Sequence, residues 1–191
     1  RAEPPPEQEV AGGGLPASAK FYLAGVYGLA FAAAASAYLV GSWTATGSDL
    51  MAFALLTLLA TVSQLFMVDA PNRHSYHATP AFLLAGAFIL DPVLLVPMVV
   101  LALIPEWVKY RYPWYIQTFN IATYLVNVLA AWAALHLVAP NGLTAQWRPA
   151  AGVLAAGPTF ALLNHVMVAL VLKLARGIPI RESGLFGRES I

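Results

Sequence analysis

The chain has 191 residues, of which 60% are apolar and only 10% charged, with a net charge of +1 and a mean hydropathy of +0.70. Soluble domains run at roughly 45–50% apolar and about 25% charged, so this composition excludes a soluble globular domain and reads as an integral membrane protein. The absence of cysteine excludes disulfides and thiolate metal sites, leaving packing within the bilayer to hold the chain together.

Residues 1–18, RAEPPPEQEVAGGGLPAS, are rich in Pro, Gly and Glu and cannot bury enough surface to offset their ordering entropy. They are expected to form a disordered tail. No basic segment precedes an apolar core here, so this is not a signal peptide, and the opening Arg in place of Met suggests a piece of a longer chain. The first span is expected over 21–43, with small residues at Gly25, Gly28, Ala32, Ala35 and Ser36 that let helices approach closely in lipid. A short polar turn, 42–48, carries an interfacial Trp43. The second span follows over 50–68, where Ser63 and Gln64 fit either a cavity wall or a hydrogen bond between helices.

The connection 69–77, DAPNRHSYH, is the most polar in the chain. Asp69, His74 and His77 suggest a metal site, but no third His or Glu joins them and Pro71-Asn72 favours a turn. A loop at the headgroup level is the expectation, with no metal. In residues 78–117 two apolar runs of equal length meet at Asp91-Pro92, and the second closes on a basic, aromatic segment from Trp107 to Tyr115. Thirteen helical residues reach only about 20 Å, short of a hydrocarbon core of about 30 Å. The runs are either one long helix kinked at Pro92 or a short hairpin turned at Asp91-Pro92.

The next span, 119–138, carries Asn120, Thr123, Tyr124, Asn127 and His136. Asn120, Thr123 and Asn127 recur at helical spacing, and a polar stripe on an apolar helix faces the bundle interior. Residues 139–148 form a loop with the turn signal Pro140-Asn141-Gly142. The last span, 150–174, has a kink signal at Gly157-Pro158 and Asn164-His165 at its middle, and an amphipathic exit segment, 178–191, follows.

Basic residues decide between the two topologies. A hairpin over 78–104 gives four full spans and two half-length ones, about six membrane segments. Arg1, Lys20, Arg73, Lys109, Arg111, Lys173, Arg176, Arg181 and Arg188 then share one side with only Arg148 opposite. Basic loops stay cytoplasmic, so the chain is expected in the cell's inner membrane with both termini on the cytoplasmic side. The single-helix reading scatters these charges across both sides. The expected architecture is therefore an all-α polytopic bundle over 19–177. A hairpin tip inside the membrane must be buried in protein or line a wet cavity, which makes Asp91 the one acid expected near hydrocarbon. A solvated surface turn explains Asp91 as well. His136 and His165 fit haem or chlorin ligation or proton sensing, and equally a hydrogen-bonded core role.

The order of hairpin, linker and spans also carries a resemblance. Gly86 with Asp91-Pro92, the linker from Lys109 to Trp114, Phe119-Asn120, Asn164 with Val168-Ala169-Leu170, and the exit Arg176-Gly177-Ile178-Pro179 resemble the multi-helix sensor region in front of bacterial GGDEF and HD-GYP signalling domains. The similarity covers roughly 48–185. It implies a cyclic-di-GMP synthase or hydrolase beyond the membrane region, but neither signature is present in these residues. The short hairpin with a buried polar stripe is also similar to the vitamin-binding subunits of energy-coupling-factor transporters.

No nucleophile-base pair, phosphate loop or metal cluster is legible, and the basic segments flank spans, where anionic lipid rather than nucleic acid explains them. The leading expectation is a membrane sensor module relaying a signal to a cytoplasmic output, with a ligand cavity lined by Gln64, Asp91, Asn120, Thr123, Asn127 and Asn164. The alternatives are a small-molecule-binding transporter subunit and a structural or pigment-associated subunit using His165 or His136. The small-residue face of the first span makes a homodimer or a larger membrane complex plausible.

Overall fold

The computed structural model describes residues 15–66, 68–69, 75–76, 78–111, 113–138 and 147–178. These form six helices: α1 (Ala17–Val40), α2 (Gly47–Leu65), α3 (Thr79–Ile89), α4 (Pro92–Tyr110), α5 (Trp114–Val138) and α6 (Arg148–Arg176). A two-residue antiparallel ladder, β1 (Val68–Asp69) with β2 (Ser75–Tyr76), ties the connection between α2 and α3. Five helices, all but α3, are long and apolar enough to cross a membrane, so the chain is a membrane-embedded helical bundle. The side chains of His74 and His77, the turn at Pro140-Asn141-Gly142 and both terminal tails lie outside the described residues.

Each helix starts and stops where local chemistry requires. Thr46 and Asp49 close a capping box at the start of α2. Asp91 caps α4 with Pro92 in its first turn, and the residue before a proline is held extended, which ends the preceding helix. Gly177, at φ +68°, terminates α6 in the left-handed conformation that glycine adopts freely. Arg111 takes the same conformation at φ 52° to end α4, because Pro113 must start α5 almost at once.

Residues 78–110 form the expected hairpin. A Cβ on Gly86 would stand 2.8 Å from the Met98 sulfur and 3.2 Å from Leu95, so α3 and α4 lie against each other. One kinked helix would hold Gly86 about 14 Å from Leu95 and about 18 Å from Met98 at about 1.5 Å per residue. The hairpin is unequal, however. α3 has 11 residues as a half-length arm, whereas α4 has 19 and reaches through the basic aromatic segment to Tyr110. The expectation of two half-length arms is corrected for α4, which carries Pro97 and Pro105 inside the helix. Proline ends helices in water, but membrane helices tolerate it where neighbours satisfy the freed backbone.

α5 is the central helix, with half of its apolar stretch buried against at most a third elsewhere, and it packs on α1, α3, α4 and α6. Tyr22 donates to the Met167 carbonyl at 2.9 Å and Tyr27 pairs with Thr118 at 2.9 Å, fastening α1 to α6 and α5. The core runs through Leu83, Leu95, Met98, Val99, Leu103 and Val128. Gly25 and Gly28 face outward with nothing within 4 Å of an added Cβ, so the small-residue face of α1 makes no close contact inside the bundle.

Candidate functional site

The six residues expected to line one cavity are divided among three places. Gln64, near the end of α2, is 4% exposed and donates from Nε2 to Glu106 Oε2 at 2.6 Å. Its Oε1 accepts from the Thr79 hydroxyl at 2.7 Å, and the same hydroxyl lies 3.3 Å from the Ala60 carbonyl. Asn127 and Asn164 meet across α5 and α6 at 3.2 Å. Thr123 is buried with its hydroxyl unpaired, and Asn120 is half-buried. Asp91 sits apart from all of them, at the turn between α3 and α4.

Glu106 was not among the expected site residues. It is 4% exposed on a helix long enough to span, so Asp91 is not the one acid in the apolar bundle. Its signal was present as a lone carboxylate following Pro105 in the run from Val93 to Lys109, just past the expected hairpin of 78–104. A buried carboxyl is costly unless hydrogen-bonded, and the Gln64 amide supplies the donor. Gln64 also links it to the first residue of α3, whose short length starts that helix inside the bundle rather than at its surface.

Asp91 works differently. Its Oδ2 accepts from the Ser42 backbone N–H and hydroxyl, both at 2.8 Å, and its Oδ1 accepts from the Val93 N–H at 3.0 Å. One carboxylate thus caps α4 and holds the loop after α1 against the hairpin turn. Gly41 permits the approach: an added Cβ would lie 2.5 Å from Asp91 Oδ1 and would collide with Val93. Asp91 is half-buried at this joint, the solvated turn of the sequence reading with a tertiary bond added.

Around the joint opens a cavity of about 490 Å³, within the size range of small-molecule sites. Its walls are the α1–α2 loop with Trp43, the start of α2 with Asp49, the hairpin turn with Phe88 and Asp91, and the end of α5 with Trp132 and His136. Trp43 stacks on Tyr38 at 5.3 Å between ring centroids. Trp132 and His136, one helical turn apart, stack at 4.1 Å. His136 Nδ1 lies 2.8 Å from the Trp132 carbonyl, which only accepts, so Nδ1 carries a proton. Asp49 receives the Thr46 N–H and hydroxyl on Oδ2 at 2.8 and 2.7 Å. Of the expected site residues, Asp91 and His136 line this cavity. His165 does not; it is half-buried on α6 and donates from Nδ1 to the Ala161 carbonyl at 2.6 Å.

The capping-box pair Thr46 and Asp49 was legible as a Thr-x-x-acid pattern, and Trp132 with His136 as an i, i+4 pair. What brings them together is contact between segments far apart in the chain. No cluster of three metal-ligating side chains occurs among the described residues. The arrangement can bind and orient a ligand. No protein family, curated protein or solved structure matches the chain.

Proposed function

We propose that this chain is a membrane sensor module that binds a ligand in the cavity between the α1–α2 loop, the hairpin turn and α5, and relays occupancy along α6. The observation that carries the reading is that cavity, lined in part by Trp132 and His136 at the end of the central helix. α5 packs along α6 more extensively than any other helix pair, so a ligand that moves the end of α5 acts on α6 directly. α6, at 29 residues, reaches about 43 Å, beyond the hydrocarbon thickness, and ends at a basic turn with Lys173 and Arg176. Charge bias supports the orientation. Lys20, Lys109, Arg111, Lys173 and Arg176 lie at the end of the bundle opposite the cavity, a bias that supports a cytoplasmic position for that end and an outward-facing cavity.

Because the chain has no cysteine, single-cysteine variants test this cleanly. A membrane-impermeant thiol reagent added to intact cells labels Thr44→Cys and spares Gly177→Cys; the reverse pattern overturns the orientation. A spin label on Gly177→Cys then reads the far end of α6 while Ala45→Trp fills the cavity. An altered spectrum is the expected result. An unchanged spectrum in a folded protein removes the relay and leaves a passive binding subunit.

A further inference from the structure

We infer that the ligand of this cavity is an amphiphile with a cationic amine head and a single apolar tail, an inference that rests on the cavity being a binding site. A second space, an apolar groove of about 280 Å³, runs between α1 and α5 and shares Pro92 and Trp132 with the cavity. It extends along α1 from Leu29 to Val40, about 16 Å at 1.5 Å per residue, close to the depth of one hydrocarbon leaflet. Its one polar wall residue, Ser36, has already given its hydroxyl proton to the Ala32 carbonyl. Nothing in the groove recognises a polar group, and everything in it suits a hydrocarbon chain.

The cavity at the head of this groove has the opposite chemistry. Among the described residues its titratable lining groups are Asp49, Asp91 and His136, with no Lys or Arg. The Asp49 and Asp91 carboxylates bring negative charge to its lining, and Trp43 and Trp132 offer the electron-rich faces that attract an ammonium group. A phosphate or carboxylate head would meet two carboxylates with no cation among the described residues to offset them. A neutral polar head would gain a hydrogen bond but not the attraction between opposite charges. Trp132 stands at the junction, where the head of a bound amphiphile meets its tail.

The test uses the full chain in uncharged maltoside micelles and follows tryptophan fluorescence, with a Trp43→Phe/Trp132→Phe variant to identify the signal from the cavity. The titrants are octyltrimethylammonium, octyl phosphate with the same tail, and tetramethylammonium with the same head. Octyltrimethylammonium is expected to give a saturable change with a Kd about tenfold below either comparator. Asp49→Asn, whose amide oxygen still accepts the Thr46 N–H, is expected to raise that Kd roughly threefold. Ala33→Phe, which fills the groove, is expected to weaken the octyl cation and leave tetramethylammonium unchanged. Circular dichroism verifies that each variant is folded. Equal or tighter binding of octyl phosphate overturns the cationic head while the binding module stands. Saturation by none of the three overturns both.

Discussion

Two carboxyl groups on α4 show two ways in which a membrane bundle handles an acid. Glu106 lies 14 residues along the helix from Pro92, about 21 Å deep, and is closed in by Gln64, which is in turn bonded to Thr79. Asp91 stands at the helix start, spends its charge on Ser42 and Val93, and borders an open cavity. The buried acid belongs to a local network that joins three helices. The peripheral one joins a loop to a turn and leaves room for a ligand beside it. The difference teaches that burial alone does not mark the site: acceptors that still face open space do, and these are at the Asp91 end.

The comparison can be broken most decisively at Gln64. Gln64→Leu strips the donor from Glu106, at about 1–3 kcal/mol, and leaves the Thr79 hydroxyl only its longer bond to the Ala60 carbonyl, at about 0.5–1.5 kcal/mol. Thermal or denaturant unfolding in detergent should therefore show a loss of about 1.5–4.5 kcal/mol. A loss below about 0.5 kcal/mol would mean that the network is open to solvent, like the cavity. Asp91→Ala comes next, removing a helix cap and the tie to Ser42, with an expected loss of about 2–3 kcal/mol in the same assay. Asp91→Asn should cost less, since the amide oxygen still accepts.

Gly41→Ala sharpens the contrast from the backbone side. The added methyl collides with Val93 and crowds Asp91, so the joint must open at a cost of about 1–3 kcal/mol. Thr123→Val serves as the internal control, because the Thr123 hydroxyl is buried without a partner and its removal forfeits no hydrogen bond. It should stay within about 1 kcal/mol of the parent in either direction. The smallest effect is expected from Gly28→Leu, which enters open space on the outer face of α1 and should shift monomer stability by less than about 0.5 kcal/mol. If that face joins two copies, light scattering in detergent will show a lower mass for this variant. An unchanged mass leaves the face to lipid.

Legibility followed the range of the interaction involved. The spans were readable because a run of apolar residues long enough for the bilayer is a local property of the sequence. The hairpin was readable because Asp91-Pro92 offers a turn and the basic residues gather on one side only if the chain turns there. The length of α4 was not: Pro105 reads as a helix end by the rules of water, whereas in the bundle the helix runs through it to Tyr110. Asn120, Thr123 and Asn127 were correctly grouped on α5 by spacing, yet only Asn127 has a partner among the other expected residues, Asn164.

By itself the sequence determined the class, a helical membrane protein, along with the order of its apolar helices, the turn at Asp91-Pro92 and the imbalance of basic residues between the two ends. Each follows from composition, period or spacing within a few turns of chain. Only the tertiary structure decided that Gln64 meets Glu106 across 42 residues, and that Ser42 meets Asp91 across 49. It alone set Trp43, Asp49, Trp132 and His136 around one space. Helical period says which face of a helix is polar, but it does not say which helix that face will meet. Partner choice comes from how the helices pack, and packing is a property of the whole bundle.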